Sequence, residues 1–159
     1  MSCYQQPTME DKVKEKTVKA WVDKILAGYP VKPVLEVVDY IEDAASRIVD
    51  AVLMLHEGGK VDIDEALDDL MRFLATDRNL SPGESVRLIS ELREMIANEL
   101  NLRGEERLKF NLKVEELMFR AFDAYMACRE KIFELRLKEK ERDIEIMRKI
   151  IEFADRAKF

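Results

Sequence analysis

The sequence has 159 residues, of which 47% are hydrophobic and 38% are charged, and its formal net charge is −6. This length suits one domain with its own core, and so high a charged fraction is typical of long helices. Most of the negative charge lies in residues 1–104, which argues against a nucleic-acid-binding protein because such a protein needs a basic face. No apolar run reaches the about 18–20 residues of a membrane span.

The N-terminal residues 1–7 are predicted to be a short disordered lead, and they lack the basic and apolar regions of a signal peptide. The two cysteines, Cys3 and Cys128, lie far apart in the sequence and in different contexts. They predict reduced thiols in a cytoplasmic protein rather than a disulfide framework.

A first helix is predicted from an N-cap at Thr8, with Asp11 in its acidic first turn, to about Ala27. Gly28 then ends it, and a Tyr-Pro pair follows. Trp21 lies on the apolar face of this helix. That position favours a core anchor over a residue that stacks on a ligand.

The second predicted helix begins at Pro33 and ends at about Glu57, before a pair of glycines. Its apolar stripe is wide, which predicts a central helix packed on more than one side. A third helix over about 63–75 is predicted to begin with a capping box formed by Asp62 and Glu65.

The fourth predicted helix, about 82–101, has the clearest start in the chain. Ser81 offers an N-cap, Pro82 suits the first helical position, and Glu84 can reach back to the Ser81 amide. Asn101 and a glycine that follows it are expected to end this helix.

The stretch from Leu112 to Phe159 contains neither glycine nor proline. It predicts one long helix, starting between Glu105 and Leu112, that is much longer than the mean helix of about 11 residues. Up to Leu137 its apolar face is dense enough for packing in a bundle. The six consecutive charges of Lys138–Asp143 predict a solvated neck where the helix leaves its own core.

Beyond the neck, apolar residues recur at a 3-4-3 spacing: Ile144, Met147, Ile151 and Ala154. This pattern is short for a coiled coil, which needs three or four heptads. It predicts an interface with a dimer mate or a partner protein, and folding back on the domain stays open. The expected organisation is a helical domain over 8–137 and a helical extension over 138–159.

His56 is the only histidine, and it lies in the last turn of a predicted helix. There a histidine suits the negative helix end, so a capping role is favoured over a haem or metal ligand. Cys128 is interpreted as a buried small hydrophobe rather than a redox thiol. We therefore predict no enzyme, no cofactor and no metal site, because no nucleophile–base pair or carboxylate dyad is apparent.

The segment Ala121–Arg136, AFDAYMACREKIFELR, resembles the C-terminal signature of the N-terminal domain of RsbT co-antagonist proteins of the RsbRD type. Two further blocks resemble that family in order and spacing. They are Trp21–Pro30, WVDKILAGYP, and Ala66–Ile96, in which a short helix leads to a Ser-Pro-capped one. The signature residues are Trp21, Phe122, Tyr125, Cys128, Arg129 and Ile132, which we expect in the core.

This resemblance implies an all-α sensory domain of globin-like or related bundle type, dimeric and without haem, in a bacterial stress-signalling complex. In that family the last helix leads to a STAS output domain. None follows Phe159 here, so we expect a stand-alone version or a fragment.

The sequence thus predicts an all-α fold of about five helices with a long protruding C-terminal helix. The predicted function is a non-enzymatic, cytoplasmic, homodimeric sensory or regulatory domain, 8–137, whose extension transmits a signal to a dimer mate or a signalling partner. Two alternatives remain at this stage. One is a globin-like module that binds haem or a small ligand, and the other is a structural adaptor that docks a partner through the C-terminal helix.

Overall fold

A computed structural model describes residues 6–28 and 35–158. Over these ranges the chain forms five α-helices and no strand. The bounds are α1 Met9–Ile25, α2 Leu35–His56, α3 Asp64–Thr76, α4 Pro82–Glu99 and α5 Gly104–Ala157. The predicted all-α bundle with a long last helix is confirmed. Most of the predicted disordered lead, Cys3, the Tyr29-Pro30 boundary, the Pro33 helix start and Phe159 lie outside the described residues.

Two helices begin as their capping signals predict. The Thr8 hydroxyl accepts a hydrogen bond from the Asp11 amide at 3.3 Å, and the Asp11 carboxylate accepts one from the Thr8 amide at 3.0 Å. Ser81 and Glu84 form the same reciprocal pair at the start of α4. The Ser81 amide and hydroxyl hold the pKa of the Glu84 carboxyl below its usual range.

The predicted capping box of α3 is wrong. The residue before this helix is Ile63, which makes no side-chain cap, and the Asp62 carboxylate accepts a hydrogen bond from the Asp64 amide instead. Ile63 is 2% exposed. Because its side chain packs in the core, the helix begins one residue later than the polar pattern indicates.

The core lies around α2, as the width of its apolar stripe predicts. The α2 side chains that are fully buried all face neighbouring helices: Ile41, Ala44, Ala45, Ile48, Val49 and Val52. Trp21 on α1 is also fully buried, and its indole Nε1 donates a hydrogen bond to the Leu88 carbonyl at 2.8 Å. Trp21 therefore ties α1 to α4 with a polar contact inside an apolar core, as expected of a core anchor.

Helix α5 packs on α3 and α4 only with its N-terminal half. Its buried residues follow a spacing of three and four: Phe110, Val114, Leu117, Ala121 and Tyr125. Ile132 is the last partly buried residue, and every residue over 133–158 is exposed. The helix therefore leaves the bundle before the expected exit at Lys138.

Replacing Trp21 tests its anchoring role. We expect Trp21→Ala to lower the free energy of unfolding by about 3–5 kcal/mol, because it leaves a large cavity. Trp21→Phe keeps a ring but loses the hydrogen bond to Leu88, so we expect a loss of about 1–2 kcal/mol. Both variants remove the only tryptophan, so tryptophan fluorescence cannot follow their unfolding. Urea titrations monitored by far-UV circular dichroism measure the two losses instead. Equal losses for the two variants would contradict this account.

Candidate functional site

Helix α5 carries a second apolar face, which no other residue in the ranges 6–28 and 35–158 covers. We call it the exposed seam. Its large side chains are between 37% and 68% exposed. They are Leu108, Leu112, Phe119, Phe122, Met126, Phe133, Leu137, Ile144, Met147 and Ile151, followed by the exposed Ala154.

The seam is one continuous face because its members are separated by three, four or seven residues. At about 100° per residue these spacings return to the same side of a helix. The buried residues of α5 lie on the roughly opposite side. The seam therefore runs from the bundle to the end of α5 without turning into the core, over about 70 Å at about 1.5 Å per residue.

Phe122 is the clearest departure from expectation. It was predicted to lie in the core, but its side chain is 43% exposed and belongs to the seam. Its neighbour Ala121 is fully buried. Because successive helical residues point about 100° apart, Phe122 faces away from the bundle while Ala121 faces into it. Leu135, also expected in the bundle, is 54% exposed.

The predicted interface residues Ile144, Met147 and Ile151 are 60%, 63% and 58% exposed and lie on the seam. They form its distal third, so the short pattern noticed in the sequence is the end of a longer one. The neck Lys138–Asp143 is exposed, as expected, yet it stays helical and does not interrupt α5. Within the neck, Lys140 takes the seam position.

The end of α5 is also apolar on the side roughly opposite the seam. Ile146, Ile150 and Phe153 are 50%, 61% and 74% exposed. We call these three residues the tail face. They continue the line of the bundle-packed residues beyond the point where the bundle ends. The last turns of α5 therefore present apolar side chains over about half of the helix surface.

The signature residues Tyr125 and Arg129 fasten the loop between α3 and α4. The Tyr125 hydroxyl donates to the Leu80 carbonyl at 2.6 Å and accepts from Arg129 Nε at 3.1 Å. Arg129 also donates to the Asn79 side-chain oxygen at 3.3 Å, and Asn79 has a positive φ of 48°. These contacts hold a left-handed turn against α5, which is a structural role.

Cys128 and Ile132 complete the signature on the same side of α5. Both are half-buried, and the Cys128 thiol is free. Cys128 packs against the core cluster, in line with the prediction of a small hydrophobe, although its burial is incomplete. Trp21, Tyr125 and Cys128 thus belong to the core or pack against it, and Arg129 holds the Asn79 turn by hydrogen bonds.

His56 packs against α5 at the end of α2. Its ring meets the Phe110 ring edge-on at 5.7 Å between centroids, and its Nε2 lies 3.7 Å from a Glu106 carboxylate oxygen. The Leu55 carbonyl at this helix end accepts a hydrogen bond from Lys113 Nζ at 3.0 Å. Lys113 therefore places the positive charge at the C-terminal end of α2. The sequence had suggested His56 for this role. His56 lies apart from the seam.

Two carboxylates of the acidic stretch 62–69 form ion pairs with arginines of other helices. Asp69 accepts a hydrogen bond from Arg47 at 2.9 Å, and Asp64 pairs with Arg120. Over residues 6–28 and 35–158, no group of three or more metal-ligating side chains comes together. Within the same ranges, none of the helices combines the length and the apolar character that crossing a membrane requires.

The Tyr125 contact is testable because Tyr40 offers a matched control. Tyr125→Phe removes a 2.6 Å hydrogen bond that a buried tyrosine donates to the Leu80 carbonyl, so we expect a loss of about 1 kcal/mol in the free energy of unfolding. Tyr40 donates to the Asp69 carbonyl at 3.4 Å and is 41% exposed, so Tyr40→Phe should cost less than half as much. Urea titrations of both variants measure the difference, and a larger effect at Tyr40 would refute this assignment.

Known proteins provide one informative comparison. No family model matches the sequence, and no solved structure matches it. A protein of Archaeoglobus fulgidus, described as uncharacterized, is 62% identical over 144 residues, which are 91% of this chain and 95% of that protein. The match takes in nearly the whole length of both sequences. The chain therefore belongs to the same family as this archaeal protein.

Proposed function

We propose that the chain is a non-enzymatic regulatory domain that acts by associating with another protein chain through α5. The observation that carries the proposal is the exposed seam. Folded proteins rarely leave a long contiguous row of large apolar side chains in water, and such rows mark interaction surfaces. The seam contains three phenylalanines and reaches along nearly all of α5.

The partner in this proposal is a second copy, so that the chain is a homodimer. The seam is straight and narrow, which suits another helix better than a globular surface. A second copy supplies a helix of the same length and pattern. The bundle contacts the opposite face of α5, and a second α5 can therefore approach without meeting it.

A sensory role in a cytoplasmic signalling system is the finer part of the proposal. It is supported by the resemblance of Ala121–Arg136 to RsbRD-type sensor domains and by the continuity of α5. The same rigid helix forms part of the core at Tyr125 and presents apolar residues at Ile151. A change in the packing of the bundle would therefore move the tail, provided that two packing states exist.

Charged substitutions on the seam test the association. We expect the wild-type protein to have a mass twice that of the 18.6 kDa chain in light scattering. The double variant Ile144→Glu with Ile151→Glu should be monomeric, because it places two charges per chain in an apolar contact. Far-UV circular dichroism and Trp21 fluorescence should show that the bundle remains folded.

The matched control places the same residue type on the other side of the helix. Lys149→Glu with Arg156→Glu alters exposed positions off the seam and changes the net charge by more than the seam variant does. It should remain dimeric. A monomeric wild-type protein at all concentrations would refute the homodimer and favour an adaptor that docks a different protein.

A further inference from the structure

We propose that two copies of α5 pair in parallel and in register along the exposed seam, as a two-stranded coiled coil. This inference rests on the homodimer proposed above and assigns its geometry. It starts from the spacing of the distal seam, which alternates strictly between four and three residues. The positions are Phe133, Leu137, Lys140, Ile144, Met147, Ile151 and Ala154.

This alternation defines a heptad in which Leu137, Ile144 and Ile151 occupy position a. Position d is taken by Phe133, Lys140, Met147 and Ala154. Three heptads of this kind meet the usual requirement for a coiled coil. In a parallel coil, β-branched residues at position a, such as these isoleucines, favour two strands over a larger number.

The charges beside the seam indicate the direction of pairing. In a parallel, in-register pair, the residue at position g of one helix lies next to position e of the following heptad on the other, five residues further along. Here Arg136 would meet Glu141, and Asp143 would meet Arg148. Both combinations have opposite charges, and the two-fold symmetry makes each contact twice.

These four charged residues have no ion-pair partner within their own chain among the described residues. They lie in the part of α5 beyond Ile132, where every described residue is exposed. An antiparallel pair would not bring them together in this way, because position g then faces g and position e faces e. Complementary charges that lack an internal partner therefore favour the parallel arrangement.

Lys140 is the one charged residue on the distal seam, and it limits the number of chains. In a two-stranded coil the long apolar stem can carry the ammonium group out to water beside the contact. A larger bundle would enclose the same group more fully, at a greater desolvation cost. A charged residue at a core position therefore lowers the stability of the coil and disfavours assemblies of more than two chains.

Parallel pairing also covers the part of the seam that lies on the bundle. Phe119, Phe122 and Met126 of the two copies would meet near the place where the coil begins. Each bundle lies on the outer side of its own α5, so the two bundles end up on opposite sides of the pair.

Disulfide trapping tests the direction and the register. In a background with Cys3→Ser and Cys128→Ala, single variants Leu137→Cys and Ile151→Cys each place a thiol at position a. A parallel, in-register pair brings both positions within disulfide distance of their symmetry mates. We expect mild oxidation to cross-link most chains of either variant on a non-reducing gel, whereas Lys149→Cys, on the outer side, should remain uncross-linked.

In an antiparallel pair a residue meets its own copy only at the two-fold axis. Positions 137 and 151 are about 21 Å apart along the helix, so at most one of them could cross-link. Cross-linking at only one or at neither position would overturn the parallel register, and efficient cross-linking of Lys149→Cys would do the same. If light scattering shows a dimer in those cases, the homodimer itself stands.

A charge exchange provides the second test. Arg136→Glu alone and Glu141→Arg alone each place like charges opposite one another, so we expect each to dissociate at least tenfold more readily than the wild type. Mixing the two variants restores opposite charges at every contact. Sedimentation of the mixture should show an affinity near that of the wild type, and a mixture no tighter than its separate components would refute the pairing.

Discussion

A helix of 54 residues cannot bury two apolar faces in a bundle whose other helices have between 13 and 22 residues. This difference in length determines how much of α5 can be buried. The N-terminal half of α5 completes the core with one face, and the other face stays in water along the whole helix. None of the residues 6–28 and 35–158 covers that second face. The described residues therefore form a closed core around Trp21 and α2, but they leave one face of α5 in water.

The elements that sequence reasoning predicted correctly depend on local chemistry. Thr8 and Ser81 carry their own capping partners three residues ahead, so no distant contact is needed to specify those helix starts. Asn101 ends α4 in a left-handed conformation, with a φ of 52°, that its short polar side chain tolerates. Asp62, like Ser81, is a polar residue followed three positions later by a glutamate. The burial of the neighbouring Ile63 nevertheless determines where α3 begins.

The exposed seam was harder to predict because both faces of α5 are apolar between Leu117 and Met126. When a helix carries two apolar stripes, the spacing of the residues does not show which stripe packs against the bundle. The prediction that Phe122 lies in the core is wrong for this reason. The heptad spacing of the seam is clear in the sequence only beyond the neck, because no residue there packs on the bundle. A polar residue at position 121 or 125 would have separated the stripes, but Ala121 and Tyr125 are both core residues.

Tyr125 and Arg129 connect this helix to the rest of the molecule through the turn at Asn79 and Leu80. Because both residues lie one or two turns before the last partly buried position, they fix the direction in which α5 leaves the bundle.

The part of α5 beyond Ile132 is a straight arm that would convert a small tilt into a large displacement of its tip. It extends about 40 Å from its support at about 1.5 Å per residue, and it contains neither glycine nor proline that would let it bend. A tilt of only about 5° at the junction would displace the tip, where Phe153 lies, by about 3 Å, close to the diameter of a water molecule. Small rearrangements around Tyr125 are therefore magnified at the end of the helix that is most accessible to other molecules.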